Sequence, residues 1–171
     1  SRFWDERVEA VTQLGNFKDP ESLEVLHKAL KDPSSRVRIA ALESIGKHRN
    51  QKSLPLIIDS LSTKDVLIRI EAYSALCSYR MKSHDVYYKQ ASKDSDWTIR
   101  MVSLDCYRHL KDEEEEKRGY LQSLYLALDP VLEVQKRALE MLVWYDEPGA
   151  IPFLLKASRK KDITKYSLIF I

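Results

Sequence analysis

Arginine returns at one fixed interval. Arg7, Arg38, Arg69 and Arg100 stand 31 residues apart, and three positions after each comes Ala10, Ala41, Ala72 or Ser103. The surrounding stretches are variants of one pattern: "DERVEAVTQLG" (5–15), "RVRIAALESIG" (36–46), "LIRIEAYSALC" (67–77) and "TIRMVSLDCYR" (98–108). A self-similar period of roughly 20–50 residues marks a repeat array, and helix pairs suit the upper part of that range. In the segment from Ser35 to Lys47, Val37, Ala40, Ala41, Ser44 and Ile45 wind onto one stripe, which argues for a helix. The small residues on that stripe admit a close neighbour. Ser34 or Ser35 suits the N-cap, Asp32-Pro33 stops the preceding helix, and Gly46 suits a relaxed far end.

Each such helix follows a partner. "PESLEVLHKALKD" (20–32), "KSLPLIIDSLS" (52–62), "HDVYYKQASKD" (84–94), "EKRGYLQSLYLALD" (116–129) and "PGAIPFLLKASRK" (148–160) carry apolar residues at helical spacing. Pro55 is tolerated only in a first turn. The fifth helix of the arginine type is "LEVQKRALEMLVWY" (132–145), displaced by four extra residues that the acidic run "KDEEEEK" absorbs as a solvated loop, with Gln135 at the arginine position. A last helix is expected from Ile163. The predicted fold is all-α: a right-handed α-α superhelix of about five helix pairs forming one domain over 1–171.

The order Asp-Pro, Val-Arg, Ala and a closing Ile-Gly in "KDPSSRVRIAALESIGKHRNQKSLPLIIDSLS" (31–62) resembles the HEAT-repeat family, in the short form found in phycobilisome lyase-like proteins. The resemblance covers the whole chain through weaker copies. It implies an α-solenoid and an Asp/Arg ladder between units, and it is poor for function because such repeats serve many tasks.

Composition narrows the classes. A formal net charge of +2 supplies no electrostatic case for nucleic acid or anionic lipid. Four glycines and six prolines leave little for hairpins, and no apolar run approaches the roughly 18 residues that span a bilayer. Cys77 and Cys106 lie in apolar helical patterns and are expected to be reduced core thiols, which favours a reducing, cytoplasmic setting. The opening Ser1 and the apolar ending "KYSLIFI" suggest a piece of a longer protein.

Two readings of the arginines are open. As a structural ladder, Arg7, Arg38, Arg69 and Arg100 would bridge to turn acids among Asp32, Asp65, Asp96 and Asp129, since a cation near a helix N-terminus needs a carboxylate. As a functional row, they would grip phosphates. The residue after each arginine is apolar (Val8, Ile39, Ile70, Met101), and one turn on come Thr12, Glu43, Ser74 and Asp105. The candidate partner-binding residues are therefore Ile39, Glu43, Ile70, Ser74, Met101 and Asp105. They form either an apolar strip flanked by carboxylates, fit for a basic amphipathic segment, or lateral packing that never meets solvent.

Trp4 and Trp97 share a helix-entry register and read as staples packing the turn. His27, His48, His84 and His109 occupy unrelated repeat positions without zinc-site spacing, and no phosphate loop or nucleophile elbow occurs. No enzyme, metal or cofactor is indicated. The function expected is a monomeric, non-enzymatic scaffold for a protein or peptide. The alternatives are nucleic-acid binding, since some HEAT-like solenoids are DNA glycosylases and basic turns occur at "KHRNQK" (47–52) and "SRKKD" (158–162), and tetrapyrrole handling, implied only by the lyase-like resemblance.

Overall fold

The computed structural model describes residues 3–108, 112–146, 148–152 and 155. His109, the turn "SRKKD" and the helix expected from Ile163 lie outside them. The described residues form nine α-helices and no strand, divided between two compact units, 1–81 and 82–171.

The first unit holds α1 (Trp4–Leu14), α2 (Pro20–Ala29), α3 (Ser35–His48), α4 (Leu54–Ser60) and α5 (Val66–Ser78). Helix α3 lies between α1 and α5, while α2 and α4 pack outside as the partners of α3 and α5. The stripe expected on α3 is its buried face: Val37, Ala41 and Ile45 are almost wholly removed from water, together with Leu42. Leu26 and Ile57 bring α2 and α4 into the same core. Gly46 differs from its expected role. It sits inside α3, not at its relaxed end, and a Cβ there would stand 3.1 Å from the Ala75 Cα. Gly15 has the same relation to Ser44, whose Oγ would lie 2.7 Å from an added Cβ. The register thus repeats a glycine-on-small-residue seat that draws successive helices together, a contact a larger side chain would prop open.

The same seats are pinned by hydrogen bonds. Ser44 Oγ donates to the Val11 carbonyl at 3.1 Å, and Ser78 Oγ donates to the Gly46 carbonyl at 2.8 Å.

The second unit holds α6 (Asp85–Ala91), α7 (Trp97–Tyr107), α8 (Glu113–Leu126) and α9 (Leu132–Tyr145), with short 3-10 turns at Lys82–His84 and Pro148–Ala150. Helices α7 and α9 pack on each other and carry α6 and α8 as their partners. Tyr88 meets Tyr107 edge to face at 5.5 Å, and the Tyr107 hydroxyl donates to Asp85 at 2.6 Å. The acidic run, expected as a solvated loop leading into a helix N-terminus, forms the start of the helix itself. Asp112 caps α8 by accepting from the Glu114 N–H, and Glu113 to Glu116 form the first helical turn, where negative charge is favoured. Only part of that run is solvated, for Glu115 is buried.

Acids at the turns do two jobs. Asp19, Asp65 and Asp96 cap α2, α5 and α7 through their own side chains. Asp32 and Asp129 accept the Ser34 and Val131 N–H groups and also face the arginines. Arg7 places Nε and Nη2 on the Asp32 carboxylate at 2.7 and 2.9 Å, and Arg100 grips Asp129 at 2.6 and 2.9 Å.

Neither Cys77 nor Cys106 is a free thiol, which overturns the expectation of reduced core residues and removes its support for a reducing compartment. A half-cystine and a thiol fit the same helical register, so periodicity does not separate them. No described helix is long and apolar enough to cross a membrane.

Helices α3 and α9 end on left-handed residues, Arg49 at φ 52° and Asp146 at φ 51°, and Arg80 adopts φ 49° just past α5. A Cβ in that region costs about 1 kcal/mol. Arg49→Gly is therefore expected to raise stability in chemical denaturation by up to about 1 kcal/mol, less the added freedom of the unfolded chain.

Burial pushes the Asp129 carboxyl up, but bonds from Arg100 and the Val131 N–H outweigh it and hold it below its ordinary range. Its stabilising contribution is full above about pH 4 and fades as pH falls through the depressed folded value. Asp129→Ala strands the Arg100 guanidinium and is expected to cost about 2–3 kcal/mol at neutral pH. In unfolding titrations the gap to the wild type should close on acidification.

Candidate partner-binding surface

The arginines owe their position to the turn behind them. Arg38 donates from Nη1 to the Asp32 and Pro33 carbonyls, Arg69 to those of Thr63 and Lys64, and Arg100 to those of Asp94 and Ser95. Gln135 reaches the Asp129 carbonyl from the equivalent place in α9, so an amide fills the same role there. In Arg7 and Arg100 the other edge of the fork is spent on Asp32 and Asp129, leaving no free bidentate edge for a phosphate. Twenty-five residues beyond Arg7 stands Asp32; the same step from Arg38 reaches Thr63, which has no carboxylate.

The apolar residues beside the arginines do not share one environment. In the first unit, Ile39 on α3 and Ile70 on α5 are each half-buried. Glu43, one turn past Ile39, is exposed and ion-paired to Lys47 at 2.8 Å, and Ser74 is half-buried one turn past Ile70. In the second unit, Met101 instead packs against the core cluster of Leu104, Leu126, Val134, Ala138 and Met141. Asp105 is bonded to Arg137, which also holds Glu140 at 3.1 Å. Met101 and Asp105 are thus both engaged within their own unit while staying partly open to solvent.

The spacing did not single out Glu71. It follows Ile70 directly, and its carboxyl is raised above the ordinary value, first by burial and then by Glu43 on the neighbouring helix, with Lys47 opposing. A carboxylate short of water beside another carboxylate is a site that gains from a cation. Ile39, Ile70, Glu43 and Glu71 therefore present apolar surface next to two carboxylates that share one lysine, Lys47.

The other candidates are structural. Trp4 is 40% exposed and carries the Arg36 guanidinium 4.2 Å over its ring, so its face stacks on a cation more than it staples a turn. Trp97 is equally exposed. His27 lies with its Nε2 2.8 Å from Ser53 Oγ and is lowered by burial and by the nearby His48. His48 reaches the Leu14 carbonyl, and His84 is buried against Tyr87 and Tyr88. No group of three potential metal ligands gathers among the described residues.

Residues 1–77, which span α1 to all but the end of α5, match the family described as HEAT repeats. No curated protein matches the chain.

A raised folded pKa means that Glu71 costs stability once pH passes its unfolded value of about 4.3. Glu71→Gln is accordingly expected to raise the melting temperature at pH 7, with the gain disappearing below about pH 4. An unchanged melting temperature across that range would contradict the strained carboxylate.

Proposed function

Taking a HEAT-repeat chain as the premise, we propose that this protein is a non-enzymatic interaction scaffold whose first unit docks a basic, amphipathic segment of a partner protein. HEAT repeats generally serve as protein-interaction scaffolds. The observation that carries the partner's chemistry is the pairing of half-buried Ile39 and Ile70 with Glu43 and the under-solvated Glu71. An apolar ridge on the partner would cover the isoleucines while a lysine or arginine at its border relieves the carboxylate pair. Ser74 borders the same strip and offers a hydroxyl to the partner's backbone. The reading places no demand on a catalytic group, a cofactor or a second copy of the chain.

The test is direct titration, by fluorescence polarisation, of a labelled helical peptide with one leucine stripe flanked by lysines. The wild type should bind it saturably, and Ile39→Asp with Ile70→Asp should weaken binding about tenfold or more while helicity persists. A folded double variant that binds the peptide unchanged would sink the assignment, as would a wild type that does not bind it.

A further inference from the structure

Within the second unit, one face of α8 and the end of α9 enclose a cleft of about 340 Å³ lined by Glu113, Glu116, Lys117, Tyr120 and Tyr145. We propose that this cleft binds an alkylated ammonium group, such as a quaternary amine or a methylated lysine side chain. Its two aromatic walls stand nearly at right angles, with the Tyr120 and Tyr145 ring centroids 6.3 Å apart and their planes at 86°. Aromatic faces meeting at a corner attract a soft cation through their quadrupoles and cover its methyl groups at once.

Both walls pack closely against glycines. A Cβ on Gly119 would fall 1.9 Å from the Tyr145 hydroxyl, and one on Gly149 would fall 2.4 Å from the Tyr120 hydroxyl. Each ring thus rests its polar tip on a residue without a side chain. Tyr120 also packs on the core of Leu139, Leu142 and Ala150. A corner fixed in this way needs little reorganisation to receive a ligand.

Charge selects the ligand's sign. Among the described residues of the lining, Glu113 and Glu116 bring two carboxylates to the rim against the single ammonium of Lys117, a net negative balance. The helix terminus itself is positive, but all four residues from Glu113 to Glu116 lie in its first turn and offset it. An anion would meet both carboxylates. A small bare ammonium would surrender strong hydration for aromatic faces that accept hydrogen bonds poorly, whereas an alkylated one gives up little.

The probe is choline, titrated against the whole chain by NMR of the tyrosine ring resonances, with neutral 3,3-dimethylbutan-1-ol as its isostere. Choline should shift Tyr120 and Tyr145 saturably and bind at least about fivefold tighter than the isostere. Glu116→Gln should weaken choline severalfold and Lys117→Gln should tighten it, both with wild-type helicity. Equal affinity for choline and the alcohol would overturn the proposal, and so would the reverse order of the two charge variants. The cleft shares no residue with the Ile39–Ile70 surface, so either assignment can fail without the other.

Discussion

A guanidinium that closes its own turn is the contact on which the repeat rests. From Arg38, Arg69 and Arg100 one nitrogen bonds the two turn carbonyls five and six residues behind it. A charged donor that satisfies two turn carbonyls at once holds the angle at which one helix follows another. Where the fork also meets Asp32 or Asp129, it ties that corner to the next. A period of 31 residues is then the distance along the chain between equivalent corners.

Close seats between helices complete the stack. Gly15 under Ser44 and Gly46 under Ala75 recur at the same interval, so two of the chain's four glycines serve interhelix approach, while α3 and α9 end on arginine and aspartate in left-handed backbone. That allocation follows from the costs. A misplaced methyl between packed helices disturbs every neighbour, whereas a Cβ at an exposed helix end strains one residue.

Equivalent positions nevertheless acquired different surfaces. Ile39 and Ile70 stay at the edge of water beside two carboxylates, but Met101 turns into a core of five residues and Asp105 is taken by Arg137. Ile39, Ile70 and Met101 are all half-buried, so the equivalent positions differ in the neighbours they meet and not in their exposure. In the second unit the acidic run supplies both a helix start and one rim of an aromatic cleft. Its buried Glu115 and exposed Glu116 are neighbours in a block that composition cannot subdivide.

Helix positions, their pairing and the inward stripes were legible from spacing, because an α-helix of fixed pitch converts periodicity directly into a face. The arginine register was legible for the same reason. Asp65 and Asp96 capping their own helices while Asp32 and Asp129 pair with arginine was not, since all four look alike along the chain. Nor was the oxidised state of the cysteines, the strained carboxyl of Glu71, or the right-angled tyrosines. Each depends on which distant atoms fill the few ångströms around a side chain, and a one-dimensional period carries the direction of a side chain without the identity of what it meets.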